Sequence, residues 1–124
     1  MYARAIRTYQ TVADESAPPA RLLDELLARL ARDCRDARAA LLAGDLAGKG
    51  RAIGHALAII GELAASLDHD AAPALAGNLA ALWDYASTRL LAGSADRDAA
   101  AVTDVERLVE DLRAAFATAA GGAP

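Results

Sequence analysis

The stretch Gly44-Asp45-Leu46-Ala47-Gly48-Lys49-Gly50-Arg51-Ala52-Ile53-Gly54-His55-Ala56-Leu57-Ala58-Ile59-Ile60-Gly61-Glu62-Leu63-Ala64-Ala65-Ser66-Leu67 decides the fold. Gly44 is a helix stop and Asp45 a start signal, so the stretch opens with a turn between two helices. At helical spacing, Leu46, Ile53, Leu57, Ile60, Ala64 and Leu67 share one narrow arc. Ala56, Ile59 and Leu63 widen it to roughly 160°, against about 100° for an ordinary core-facing stripe. Two readings of that width stand side by side. The helix is central and packed against two neighbours, or its extra surface is a groove for a partner helix.

The same periodicity extends in both directions. Upstream, Leu22, Leu23, Leu26, Leu27, Leu30, Cys34, Ala37 and Leu41 mark a helix from about Pro19 to Ala43. Downstream, Asp68 to Pro73 is a loop, followed by a helix from about Ala74 to Ala92. Its inward arc is Leu75, Leu79, Leu82, Ala86 and Leu90, and Gly93-Ser94 closes it. Trp83 falls on one flank of that arc. Asn78, Tyr85 and Arg89 fall in line on the other, where an amide, a phenol and a guanidinium could satisfy the backbone of a docked chain. They could equally be a polar rim bridging neighbouring helices. A fourth helix from about Asp98 to Ala119 carries Val102, Val105, Leu108, Val109, Leu112 and Phe116.

Four long helices with short connections predict an all-α, antiparallel up-down four-helix bundle over residues 19–120. Composition agrees. Apolar residues make up 55%, much of it Ala, the strongest helix former, while Val and Ile are too few for a sheet. Residues 1–18 read as a short N-terminal helical arm and linker, with Tyr2, Ile6, Tyr9 and Val12 at helical spacing and Pro18-Pro19 leading into the bundle. Residues 121–124 read as a tail.

Charge and chemistry narrow the function. A net charge of −4 does not suit phosphate-backbone recognition, so no nucleic-acid partner is expected. No apolar run reaches the length of a membrane span and no signal peptide is visible at the N-terminus, so a cytosolic protein without membrane insertion is expected. The single cysteine, Cys34, lies on an apolar stripe as a small core residue. No nucleophile-base set and no phosphate loop is present, so the chain is not expected to be an enzyme. Asp68-His69-Asp70 reads as a solvated turn rather than a metal site, and no cofactor is expected. The rival regulatory reading is a His-phosphotransfer module, another four-helix fold, with His55 as its helical histidine; no lysine lies close to it in the sequence.

The ordered set Gly44-Asp45-Leu46-Ala47, Lys49-Gly50, Ala58-Ile59-Ile60-x-Glu62-Leu63-x-x-Ser66-Leu67-Asp68 and Asn78-Leu79-x-x-Leu82-Trp83-Asp84-Tyr85-x-x-x-Arg89-Leu90 resembles the flagellar secretion chaperones of the FliS family. Met1-Tyr2-Ala3 and Tyr9 fit as well. Two places depart from the family pattern. Leu26-Leu27-Ala28-Arg29 stands where Leu-Tyr-Asp-Gly is frequent, and Trp83 replaces the first tyrosine of a Tyr-x-Tyr. The resemblance implies a bundle that binds the disordered C-terminal segment of flagellin, prevents premature polymerisation and helps deliver it to an export gate component. It implies a binding surface of Ile53, Ala56, Ile59, Ile60, Leu63, Asn78, Leu82, Tyr85 and Arg89. The arm carrying Tyr2, Ile6 and Tyr9 would cover that surface in the absence of client. The expected state is a monomer or weak homodimer.

Overall fold

A computed structural model describes residues 19–121. It contains four helices, α1 (Pro19–Ala43), α2 (Leu46–Ala65), α3 (Pro73–Asp96) and α4 (Ala99–Gly121), with no strand among the described residues. The arm with Tyr2, Ile6 and Tyr9, and residues 122–124, lie outside the described residues.

Local chemistry sets the boundaries. Gly44 adopts φ +73°, a left-handed conformation open to glycine, and the chain there closes α1 with Asp45 N donating to the Ala40 carbonyl at 2.9 Å. The Asp45 carboxylate then accepts the Gly48 N–H at 2.9 Å and caps α2, a contact that contributes about 1 kcal/mol. Asp68 accepts the N–H groups of Asp70 and Ala71 at 3.0 and 3.2 Å and builds the loop into α3. Asp98 accepts the Ala100 N–H at 3.0 Å at the start of α4.

Polar ties fix the topology. Asp24, Arg35 and Arg38 of α1 meet Arg113, Glu110 and Glu106 of α4, rising numbers against falling ones, so these helices are antiparallel. Arg89 meets Asp104 across α3 and α4, and the Lys49 ammonium donates to the Ser94 carbonyl at 3.2 Å across α2 and α3. The helices thus form a closed up-down ring in which each packs on its two neighbours, α1 most closely on α2 and α4.

The core runs through Leu23, Leu27, Leu30, Cys34, Ala56, Leu63, Trp83, Leu90, Val102, Val105 and Val109, all 2% exposed or less. Each large apolar side chain so buried contributes about 1.5–3 kcal/mol of transfer free energy. Burial pushes the Cys34 thiol up to about 12, with Glu106 and Asp33 adding to it, so it stays protonated and packs as a small apolar group.

Three sequence expectations change. Trp83, expected on a flank, is fully buried in the centre, and Leu82 turns outward to a half-buried position. Trp83, the largest side chain of α3, takes a central position, which leaves Leu82 at the flank. Gly93 does not close α3. The helix continues to Asp96 and ends at Arg97, whose φ of 54° is left-handed for a non-glycine residue. Gly93 is buried where α3 crosses α4, and a Cβ there would stand 3.1 Å from both the Ala101 Cβ and the Asp98 carbonyl oxygen. Its role is close approach. Leu46, expected in the seam, is the first residue of α2 and is 53% exposed.

Candidate functional site

The nine residues of the expected binding surface divide into two groups. Ile53, Ala56, Ile59, Ile60 and Leu63 of α2 are all buried in the core. Ile59 lies beside Arg29 of α1, and Ile53 and Ile60 fall on the opposite flank of the arc, the flank from which Lys49 reaches Ser94 of α3. The width of the α2 face is therefore accounted for by two neighbours, the first of the two readings drawn from its sequence. Asn78, Leu82, Tyr85 and Arg89 of α3 instead form one stripe along the outer edge of that helix, because steps of three, four and seven residues return to the same side. Asn78 is exposed, Tyr85 is half exposed, and Leu82 and Arg89 are half-buried. The structure does not bring the two groups onto one surface.

The α3 stripe borders an open seam. Helices α3 and α4 touch at Gly93, but farther along the pair a groove of about 450 Å³ opens between Leu82 of α3 and Asp104, Arg107, Leu108, Asp111, Leu112 and Ala115 of α4. Its floor is Leu82, Leu108, Leu112 and Ala115. Leu108 and Leu112 lie beside Val105 and Val109, which are fully buried, yet both remain half-buried because α3 does not cover them. Periodicity alone assigns both leucines to the core. The cue to their exposure was their place on the side of the arc away from Glu106, Glu110 and Arg113, the residues that lace α4 to α1.

At the hairpin end of this groove the Arg89 guanidinium donates from Nη2 to Asp104 Oδ2 at 2.7 Å. That hydrogen bond and the Asp104 charge raise the guanidinium above its usual range, so it remains charged at any working pH. Its Nε–H is shielded from solvent and makes no hydrogen bond. Arg89 thus acts first as a tie between α3 and α4, with Tyr85 on the exposed edge next to it.

A second cavity, about 470 Å³, occupies the α1–α2 seam, which in the ring of four helices lies opposite the α3–α4 seam. Asp33, Asp36, Asp45, Arg51 and His55 surround its alanine floor. His55 is exposed there among carboxylates. Burial raises the Asp33 carboxyl above the ordinary carboxylate range, and the nearby His55 works against that rise. Asp33, Asp36 and Asp45 outnumber Arg51 in this lining, a charge balance that disfavours a phosphoryl group at His55. Among the described residues no three His, Cys, Asp or Glu side chains converge as metal ligands, and no helix is long and apolar enough to cross a membrane.

Comparison with known proteins agrees with this architecture. The family described as flagellar protein FliS matches residues 2–123. The chain is 32% identical over 121 residues to the flagellar secretion chaperone FliSB of Pseudomonas aeruginosa, covering 94% of this chain and 96% of that protein. It is 34% identical over 119 residues to the flagellar secretion chaperone FliS of Salmonella typhimurium, covering 92% and 88%. The chain belongs to the FliS family of flagellar secretion chaperones, which are not enzymes.

Proposed function

We propose that this protein is a cytosolic export chaperone for flagellin. It binds the disordered C-terminal segment of the client, prevents premature polymerisation, and assists delivery to the flagellar type III export apparatus. The observation that carries this reading is the α3–α4 groove with its half-buried Leu82, Leu108 and Leu112, bordered by Asn78, Tyr85 and Arg89. A segment that folds into an amphipathic helix on binding has an apolar face to hide, and an open apolar groove hides it without covalent chemistry. Affinity comes from the apolar area buried, less the cost of ordering the client.

In this reading the four α3 residues touch client directly. Leu82 supplies floor, Tyr85 a rigid aromatic contact, Asn78 and Arg89 polar groups for its backbone. Ile53, Ala56, Ile59, Ile60 and Leu63 act from beneath by seating α3 and α1 around α2. The arm with Tyr2, Ile6 and Tyr9 covers the client surface until flagellin arrives, and an export gate component receives the complex. The chaperone works as a monomer or weak homodimer.

Calorimetry with the host's full-length flagellin and a C-terminally truncated form tests the assignment. Binding to the first and loss of binding to the second is expected. Absence of binding to the full-length protein would overturn it.

A further inference from the structure

Along the outer rim of the α3–α4 groove stand three charged side chains of α4, Asp104, Arg107 and Asp111. Asp104 is occupied by Arg89. Arg107 and Asp111 are exposed, and neither forms an ion pair with any described residue. They are opposite in sign and one helical turn apart, so the rim carries an unneutralised charge dipole directed along the groove. Beneath it, Leu108 and Leu112 are likewise one turn apart. The stretch from Asp104 to Ala115 runs about 16 Å, some three turns of helix.

We propose that this rim reads the direction of the bound helix. Its preferred occupant is a helical segment of about three turns with an apolar ridge and, beside that ridge, one acidic and one basic residue a turn apart, held in a single orientation. The inference rests on the groove being the client seat proposed above and adds a requirement to it. The apolar floor fixes that a ridge must enter but not which way it points, since leucines a turn apart look alike from either end. Arg107 and Asp111 break that symmetry. In one direction each faces its opposite; turning the helix end for end on the same floor carries its two charges to the other flank, away from Arg107 and Asp111, and a helix with the two charges in the reverse order meets like charges on the rim. Exposed pairs contribute weakly to affinity, and their larger effect is the repulsion that disfavours the wrong arrangement.

The test uses the full chain and two end-capped amphipathic peptides of equal composition. They share a leucine ridge at helical spacing and differ only in carrying Glu-x-x-x-Lys or Lys-x-x-x-Glu beside it. Binding is measured by fluorescence anisotropy at low ionic strength. One peptide is expected to bind about fivefold more tightly, from two rim pairs of ordinary strength. The double variant Arg107→Asp/Asp111→Arg is expected to invert the preference, and 0.5 M salt to erase it. Leu112→Asp, with helicity checked by circular dichroism, is expected to abolish binding of both peptides; Leu108→Ala gives a milder version of the same loss.

An unchanged preference in the double variant, no preference in the parent, or binding that ignores Leu112→Asp would each overturn the proposal. So would the failure of both peptides to bind. If the inversion holds while flagellin does not bind, the direction-reading groove stands and the flagellin assignment falls. If flagellin binds in the groove but the peptides show no inversion, only the charge requirement falls.

Discussion

Helices α2 and α4 make the instructive comparison. By sequence α2 has the wide apolar face and α4 an ordinary stripe. In the structure most of the wide face is covered, with α1 on one flank and α3 on the other, so that Ile53, Ile59, Ile60 and Leu63 are buried while Leu57 and Ala64 are half-buried. The ordinary stripe is the one that borders an apolar groove. Its α1 flank is laced by Arg35, Arg38 and Arg113 to Glu110, Glu106 and Asp24, while its α3 flank is pinned at Gly93 and then parts around Leu108 and Leu112. The width of an apolar arc measures how much surface a helix offers. Whether a groove results depends on how much of it the neighbours take.

A charge placed on the covered α2 face has the largest expected effect. Ile59→Asp puts a carboxylate where 7% of the side chain is exposed. Lost apolar burial together with an unpaired buried charge predicts a loss of about 4 kcal/mol or more, read as a collapse of the denaturation midpoint. Survival of the native melt would mean that α2 is not covered as described. Truncations compare the same faces more gently. Ile60→Ala is expected to cost about 2–5 kcal/mol, and Leu108→Ala at the open groove about 1 kcal/mol or less, by urea denaturation. Equal costs would mean that the groove is shut in solution.

The pinned end of the α3–α4 pair is tested by Gly93→Val. One of the nearest atoms to the added Cβ is the Asp98 backbone carbonyl oxygen, which cannot rotate away as a side chain would. The expected cost is about 1–3 kcal/mol. Tyr85→Ala stands at the other extreme. Half of this side chain is exposed, so stability should change by no more than about 0.5 kcal/mol while affinity for flagellin falls about tenfold. Unchanged affinity would take Tyr85 out of the client surface.

The smallest expected signal concerns Cys34, on the closed α1–α4 side. With its pKa pushed up to about 12, the thiol should resist alkylation at pH 8 in the native state and react only when the bundle opens. The sign of the linkage is that of a group raised by folding. Its stabilising contribution is complete below the unfolded thiol's ordinary value and is lost as pH rises through the folded one. Rapid native labelling would show that the laced side opens as readily as the grooved side.

These contrasts also show how far the sequence could be read. The α1–α2 turn was legible because Gly44 and Asp45 each have a local physical task, a left-handed residue and a carboxylate cap, which needs no knowledge of the rest of the fold. The bundle was legible because four stripes at helical spacing have few other ways to be buried. The end of α3 was not, because a glycine that permits close packing and a glycine that stops a helix look alike until the partner helix is in place. The Asn78, Tyr85 and Arg89 stripe was visible as polar groups beside a seam, but its facing residues on α4 were hidden inside an ordinary periodic pattern. Trp83 was misplaced for a related reason. A wheel ranks directions, whereas the volume available at the centre decides which large ring goes there.

The central claim, that the client surface is the seam α3 leaves open on α4, is tested most directly by methyl NMR of the protein with and without the C-terminal segment of flagellin. Leu82, Leu108 and Leu112 are expected to shift on binding while Ile59 and the alanines lining the α1–α2 cavity do not. Shifts concentrated on the α1–α2 side, with Leu108 and Leu112 unmoved, would contradict it.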